Sequence, residues 1–262
     1  PTCDLTVKIG KMILKNPVIV SSGTFGFGEE FEDFYDLNHL GAIISKGISL
    51  KPMVGNPPPR IFETEGGMIN SIGLQNPGFQ AFIKNKLPYY RDLKTHLIIN
   101  FFGKSQREYI ELARRFDSVP GISGLEMNIS CPNVKAGGIQ FGVDPAQAEA
   151  ITRAIREVCK KNILIVKLSP NVTDITAIAA AAVAGGADAL SMINTFTAMA
   201  VDVERRRPIL ANVTGGLSGP CIRPIAIHMV HQVYKKVAAP AGVPIIGMGG
   251  IQYTCDALEF LL

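Results

Sequence analysis

Seven short apolar runs constrain the fold of this chain more than any other feature of its sequence. Their interiors are almost continuous Ile, Val and Leu, and helical patterns separate one run from the next. Strands with apolar residues on both faces must be covered on both sides, as in a parallel sheet enclosed by helices. We therefore predict strands within 16–23, 41–47, 96–103, 124–131, 163–170, 189–194 and 243–250.

Helical patterns lie between several of these runs, at 105–116, 144–161 and 174–186. The second pattern opens with Asp144 as a predicted N-cap and Pro145 at the first helical position. The third is rich in alanine and closes on a pair of glycines, a common helix end. Strand and helix alternate without a change in composition, which predicts a single α/β domain.

Polar residues at the ends of the predicted strands favour a closed barrel. Six of them lie at or near the carboxyl end of a different strand: Ser22, Lys46, Asn100, Asn128, Lys167 and Asn194. In a TIM (β/α)8 barrel these ends converge on one active site, whereas an open doubly wound sheet has a crevice only at its switch point. We predict the barrel over residues 1–262, with the eighth β/α unit missing from this chain, and keep the doubly wound sheet as the alternative.

Other segments complete this predicted barrel. A hairpin over about 5–14 is expected to close its bottom, and a last helix is expected to begin near Thr254. The Pro- and Gly-rich stretch 48–76 is too long for a plain connection, so it is predicted to be a functional loop. Active-site loops are predicted at 48–76, 131–143 and 195–220. The chain starts without methionine and stops within a helical pattern, so we expect a fragment.

Charge and cysteine usage exclude several classes of function. The net charge is only +4 and forms no basic stripe, so nucleic-acid binding has no support. Five cysteines without a CxxC pair argue against a disulfide framework and against a zinc site, and no metal site is predicted. Neither a signal peptide nor an 18-residue apolar span is present, so we expect a soluble cytoplasmic protein.

Three groups of residues indicate chemistry. Lys46 and Lys167 lie inside apolar strands, where an ammonium needs an anion, a carbonyl or an electron-rich ring. Glycine clusters at 215–220 and 247–250 suit close backbone approach to a phosphate. Amides suit a flat heterocycle with alternating N–H and C=O edges, and they occur at Asn70, Asn76, Asn100, Asn128, Asn133 and Asn194.

The stretch "NISCPNVK" places Cys131 at a predicted strand end between asparagines. A plain turn needs no thiol there. Together with "NPVIVSSGTFGFG", "MINSIGLQNPG", "IVKLSPNVTDI", "INTF" and "ANVTGGLSGP", this stretch resembles the dihydroorotate dehydrogenases, flavin enzymes of pyrimidine biosynthesis. The resemblance runs from about residue 5 to the last residue, and "SCPNVKAGG" is similar to the NAD-linked class 1B catalytic subunits.

The resemblance implies oxidation of dihydroorotate to orotate on FMN. It implies that Cys131 is the general base, removing the C5 proton while hydride passes from C6 to the flavin. The implied flavin positions are Ser22, Lys46, Gly47, Asn100, Asn128, Lys167, Ile193, Gly219, Gly249 and Gly250. The implied substrate positions are Lys46, Asn70, Ser71, Ile72, Gly73, Leu74, Asn128, Asn133, Asn194 and Thr195.

The same resemblance implies a partner and leaves alternatives open. A separate electron-transfer subunit would carry FAD and a [2Fe-2S] cluster and pass electrons to NAD, with a homodimer of this chain inside a heterotetramer. The alternatives are a fumarate-using class 1A dihydroorotate dehydrogenase, the pyrimidine-reducing domain of a dihydropyrimidine dehydrogenase, a flavin-independent phosphate-binding barrel, and a non-catalytic subunit scaffold.

Overall fold

The computed structural model describes residues 3–130 and 141–262 of this α/β protein. The strands in chain order are β1 (Val7–Ile9), β2 (Met12–Leu14), β3 (Ile19–Val20), β4 (Ala42–Ile44), β5 (Ile61–Thr64), β6 (Gly67–Asn70), β7 (His96–Phe101), β8 (Gly124–Asn128), β9 (Ile163–Lys167), β10 (Ala189–Met192), β11 (Phe196–Ala198), β12 (Val201–Asp202), β13 (Arg207–Pro208), β14 (Gly215–Ser218) and β15 (Ile245–Gly247).

Helices follow or precede most of the parallel strands. They are α1 (Gly78–Asn85), α2 (Leu87–Arg91), α3 (Gln106–Asp117), α4 (Pro145–Val158), α5 (Ile175–Ala184), α6 (Arg223–Val233), α7 (Ala239–Ala241) and α8 (Thr254–Leu261), with a π-helical turn at Tyr234–Ala238. Asp144 caps α4 by accepting a hydrogen bond from the Gln147 main-chain N–H at 2.8 Å, as predicted, and Pro145 is the first helical residue.

A parallel sheet organises the described part of the chain. Its order is β3-β4-β7-β8-β9-β10-β15, so sheet neighbours follow one another along the chain. All six pairings are parallel, and each of these seven strands lies in a predicted apolar run. The edge strands β3 and β15 line one common cavity, which shows that the sheet curves round on itself. The predicted TIM-barrel class is confirmed.

Alternation along each strand divides the core into two layers. In β8, Leu125 and Met127 belong to a large apolar cluster shared with helix residues such as Phe116 and Ile151. Residues of the opposite face form an inner cluster inside the curved sheet: Ala42, Ile44, Ile98, Ile163, Ile165, Ala189, Ile246 and Met248. Burial of this apolar area stabilises the barrel, and inner residues nearer the carboxyl ends are polar.

The amino-terminal hairpin packs against the inner cluster. β1 and β2 pair antiparallel, with Val7 opposite Leu14, in the region where the sequence predicts a hairpin. Ile9, Met12 and Leu14 are buried with the inner residues of the barrel. The hairpin therefore covers one end of the barrel and leaves the other end to the loops.

A second sheet lies in segments that the sequence analysis treats as loops. β11, β14, β6 and β5 form an antiparallel sheet in that order, within the stretches 48–76 and 195–220. The two stretches predicted as active-site loops thus contain regular strands that the sequence patterns did not indicate. These strands have only three or four residues and are partly exposed, and two of them, β6 and β14, contain glycine, so apolar alternation does not reveal them.

Among the described residues, no helix combines the length and the hydropathy needed to cross a bilayer. The same residues contain no group of three or more His, Cys, Asp and Glu side chains placed to hold a metal ion.

Candidate active site

Two cavities meet at the carboxyl ends of the parallel strands, and the larger one also extends between the edge strands β3 and β15 to the amino-terminal hairpin. Their volumes are about 640 Å³ and 600 Å³, within the range of roughly 300–1,000 Å³ common for small-molecule sites. Six residues line both of them: Ser22, Thr24, Lys167, Asn194, Thr195 and Ser218. We call the larger one the glycine cavity and the smaller one the amide cavity. Lys167 stands at their junction.

The glycine cavity gathers six of the ten predicted flavin positions: Ser22, Lys167, Ile193, Gly219, Gly249 and Gly250. Gly250 has φ +76°, and a Cβ there would lie 2.7 Å from the Gly219 carbonyl oxygen. Gly219 has φ +109°, and its Cβ would lie 2.6 Å from Gly67 Cα. Side chains are excluded at both positions, so main-chain groups line the cavity, as in sites that bind phosphate through backbone N–H donors.

The amide cavity gathers the other four flavin positions, Lys46, Gly47, Asn100 and Asn128. It also contains the described substrate positions: Lys46, Asn70, Ser71, Ile72, Gly73, Leu74, Asn128, Asn194 and Thr195. Cys131 and Asn133 lie outside the described residues, as does most of the predicted loop 131–143. The chain thus brings its predicted flavin and substrate positions to two neighbouring spaces at one end of the barrel.

Lys46 follows strand β4 and faces the amide cavity half-buried. Burial lowers the pKa of its ammonium from the ordinary value of 10.5, and the Arg60 guanidinium lowers it further, while the Glu30 carboxylate opposes the shift. A cation that is poorly solvated and repelled by a second cation is stabilised by an anion. This electrostatic environment suits a ligand carboxylate.

The segment 70–74 is held in place by Asn56, which the sequence analysis did not single out. The Asn56 side-chain amide donates to the Ser71 carbonyl at 3.0 Å, and its main-chain N–H donates to the Ile72 carbonyl at 3.1 Å. The Arg60 carbonyl accepts from the Ser71 N–H at 2.7 Å. Gly73 has φ +75°, and a Cβ there would lie 2.5 Å from Asn56 N. Neighbouring main chain therefore fixes the shape of this segment.

The amide side chains form a connected row across the strand ends. Asn128 Oδ1 accepts from the Ser130 N–H at 3.1 Å and from the Asn194 side-chain amide at 3.4 Å. Asn194 Oδ1 accepts from the Thr195 N–H at 2.8 Å. Asn171, also missed in the sequence, donates to the Thr195 carbonyl at 2.9 Å. The row orients polar edges toward the amide cavity.

A buried glutamate that was not among the residues predicted from the sequence lies beneath these amides. Glu126 is fully buried in β8 and accepts hydrogen bonds from Asn100 Nδ2 at 2.6 Å and Ser191 Oγ at 2.7 Å. Lys167 Nζ lies 3.8 Å from Glu126 Oε1. Its signal was available, because a carboxylate inside "GLEMN" needs a partner as much as the two strand lysines do.

Two features of the cavities are compatible with a bound flavin mononucleotide: a free hydrogen-bond acceptor for its ring and a glycine cradle for its phosphate. Asn100 Oδ1 is buried without a hydrogen-bond partner among the described residues, so an acceptor is free for a heterocycle N–H. A Cβ on Gly47 would lie 2.9 Å from that oxygen. Because glycine has no side chain, the space beside the oxygen stays open. The cradle of Gly219, Gly249 and Gly250 suits the phosphate.

Comparison with known proteins gives one consistent family. A model of the family described as dihydroorotate dehydrogenase matches residues 4–262. A protein of Trichlorobacter lovleyi is 58% identical over 258 residues, which cover 98% of this chain and 83% of the relative. Relatives from Pelobacter propionicus and Geobacter sulfurreducens are each 56% identical over 99% of this chain and cover 84% and 83% of those proteins.

All three relatives bear the name dihydroorotate dehydrogenase B (NAD(+)), catalytic subunit, which is the branch that the sequence resembles. The family prediction is thereby confirmed, and members of this family are flavin-dependent oxidoreductases. The chain belongs to the dihydroorotate dehydrogenase family.

Proposed function

We propose that this chain oxidises dihydroorotate to orotate on FMN and that the electrons pass to NAD+ through a separate subunit. The observation that carries the proposal is the junction of the two cavities at Lys167. One cavity has the glycine cradle that a phosphate needs, and the other has the amides and the half-buried Lys46 that a carboxylated heterocycle needs. The catalytic-subunit name of the relatives supports the same activity.

The reaction removes a hydride from C6 and a proton from C5 of the substrate. Bound FMN supplies the hydride acceptor. On this proposal Gly219, Gly249 and Gly250 would hold its phosphate, and Asn100 would accept a hydrogen bond from its ring. The Lys167 ammonium, 5% exposed, would stabilise the negative charge that reduction adds, since a preorganised cation in a buried site acts strongly on developing charge.

The substrate would lie in the amide cavity. Lys46 would bind its carboxylate, and the burial and neighbouring cation that lower the pKa of that lysine support an anion beside it. Asn128 and Asn194 would meet the ring's N–H and C=O edges, and we assign Asn70 and Asn133 to the same role. Segment 71–74 would cover the bound ring. Cys131 would take the C5 proton as general base.

The electron acceptor requires a second chain. The relatives are named as catalytic subunits of NAD(+)-linked enzymes, which supports an electron-transfer partner for this chain too. We propose that the partner carries FAD and a [2Fe-2S] cluster, that this chain forms a homodimer within a heterotetramer, and that the assembly is cytoplasmic.

Reconstitution with FMN tests the proposal. The FMN-loaded protein should show a visible flavin absorbance band, and anaerobic dihydroorotate should bleach it with formation of orotate. Lys46→Met should raise the dihydroorotate concentration needed for half-maximal bleaching, whereas Lys51→Met, at an exposed lysine outside both cavities, should not. A protein that binds FMN but is not reduced by dihydroorotate would contradict the proposed activity.

A further inference from the structure

Glu126 occupies a polar layer inside the barrel, between the inner apolar cluster and the cavities. It stands opposite Asn100 in the register of β7 and β8, and Ser191 stands opposite Lys167 in the register of β9 and β10. Asn100, Glu126 and Ser191 are each at most 1% exposed. Below them on the same face lie Ile98, Ile165 and Ala189. The carboxylate is therefore enclosed by protein.

A negative charge buried at this position needs compensation from the groups around it. An isolated buried charge costs several kcal/mol, but each Glu126 oxygen accepts one short hydrogen bond and Lys167 stands 3.8 Å from Oε1. That distance is longer than a hydrogen bond and short enough for strong attraction. The Lys167 ammonium is thus held near the carboxylate while it still lines both cavities.

The carboxylate also decides which end of the Asn100 amide faces the cavity. An ionised carboxylate only accepts hydrogen bonds, so the Asn100 NH2 group must point at Glu126. The opposite atom, Oδ1, is then the one presented beside Gly47, where it has no hydrogen-bond partner among the described residues. Glu126 therefore makes this position an acceptor and selects a donor on the bound ring.

We propose that Glu126 is a positioning residue that sets the redox potential of the bound flavin, an inference that rests on the proposed function. It acts through two neighbours. It fixes Asn100 as an acceptor, and its negative charge partly offsets the Lys167 ammonium that stabilises the reduced flavin. Nothing in this role requires Glu126 to touch substrate or flavin.

Replacing the carboxylate by its amide tests the effect of the negative charge separately from the effect of side-chain size. Glu126→Gln keeps the size of the side chain, removes the negative charge and leaves Lys167 uncompensated. The equilibrium between oxidised and reduced FMN should then shift at least about tenfold toward reduction, since two charges at this separation interact strongly in a buried site. For a two-electron couple that is a rise of about 30 mV in midpoint potential. The measurement is an anaerobic titration of the FMN-loaded protein against a reference dye.

A matched control and a double variant separate charge from packing. Ser191→Ala removes the hydrogen bond to Oε2 without changing the charge. The equilibrium constant between oxidised and reduced FMN in this variant should therefore stay within about threefold of that in the unsubstituted protein. In a Lys167→Met background, Glu126→Gln should have much less effect than in the parent, because the charge it would unmask is gone. Equal shifts in both backgrounds would overturn the action through Lys167.

The failure of this inference is distinct from that of the proposed function. If the unsubstituted protein shows no flavin band, the proposed function fails. If it binds FMN and Glu126→Gln has an unchanged potential, Glu126 is not a positioning residue. Should Glu126→Gln not fold, Glu126→Asp replaces it, since it keeps the charge but shortens the reach to Asn100. FMN affinity should then fall at least about fivefold with the potential nearly unchanged, and equal affinity would overturn the orientation of Asn100.

Discussion

The Asn70 side-chain amide donates a hydrogen bond to the main-chain carbonyl of Gly216 across 3.2 Å. The two residues stand opposite each other in β6 and β14, although 146 positions separate them in sequence. Gly216 also stands opposite Thr197 in β11. The antiparallel sheet thus joins two distant segments of chain over the amide cavity, so that a change in one segment reaches the residues contributed by the other.

Gly216→Ala should damage substrate binding more than folding. A Cβ at this position would overlap the Thr195 hydroxyl and lie 2.7 Å from Thr195 Cβ, so Thr195 must move within the amide cavity. We expect the orotate affinity of the FMN-loaded protein to fall at least about tenfold, since small displacements of positioning residues are costly. Orotate titration followed by the flavin spectrum measures this affinity.

Gly66→Ala is the control for that substitution. It lies at the turn between β5 and β6 in the same sheet, outside the residues that line the cavities, and its Cβ would meet Cys221 Cβ at 3.0 Å. This contact is much less severe than the one at Gly216, so a shift of a few tenths of an ångström would relieve it without moving Thr195. Orotate affinity close to that of the unsubstituted protein is expected here, and equal affinities in both variants would show that Thr195 does not contact the ligand.

Because of Lys46, orotate binding should weaken at alkaline pH. Burial first, and Arg60 second, lower the pKa of Lys46 from 10.5, so the ammonium is lost at a lower pH than in an exposed lysine. Only the ammonium attracts the orotate carboxylate. Affinity should therefore begin to decrease at a pH below the ordinary lysine pKa of 10.5, and it should continue to fall as the pH rises toward that value.

Lys46→Arg provides the comparison, because a guanidinium stays charged throughout this rise in pH. Its affinity should be lower at neutral pH, owing to the different geometry of the head group, but it should change little with pH. A decline with pH of the same steepness in both proteins would assign the titration to another group.

The apolar runs predicted the barrel because buried parallel strands leave a strong local signal. β9, for example, reads ILIVK and is buried at every position. The antiparallel sheet leaves no such signal. β14 reads GGLS and is only partly buried, and its register with β6 depends on long-range pairing rather than on local pattern.

Some residues of the site leave a local signal in the sequence and others do not, for similar reasons. The sequence predicts roles for Lys46 and Lys167 because a charged residue inside an apolar strand needs a partner. Glu126 carries the same signal, a charge inside the apolar strand "GLEMN", but its partners Asn100 and Ser191 come from other strands and meet it only in the folded chain. Asn56 gave no signal at all, because a loop asparagine is usually a turn residue, and its contacts with residues 71 and 72 arise only in the folded chain.

Cys159 should be an unreactive thiol in the native protein. It is fully buried at the end of α4, and desolvation raises its pKa to about 12. Exposed Cys221 and Cys255 should therefore react with a thiol reagent at neutral pH, whereas Cys159 should be labelled only after unfolding. Peptide mapping of the labelled protein measures this, and rapid native labelling of Cys159 would contradict the packing around α4.

Cys131→Ala should abolish the chemistry while leaving FMN binding intact. A general base typically contributes about 10²- to 10⁴-fold, so stopped-flow bleaching of the flavin by dihydroorotate should slow by at least about a hundredfold.

An ordinary thiol has a pKa near 8.5 and is mostly protonated at neutral pH, so the parent rate should climb between about pH 7 and 9. Cys131→Ser, a poorer base, should be slower and should climb at higher pH. Cys255→Ala, at an exposed position in α8, should keep both the rate and its pH dependence. A rate that is flat across this range with chemistry limiting, or a Cys131→Ala rate within about threefold of the parent, would remove the thiol from the mechanism.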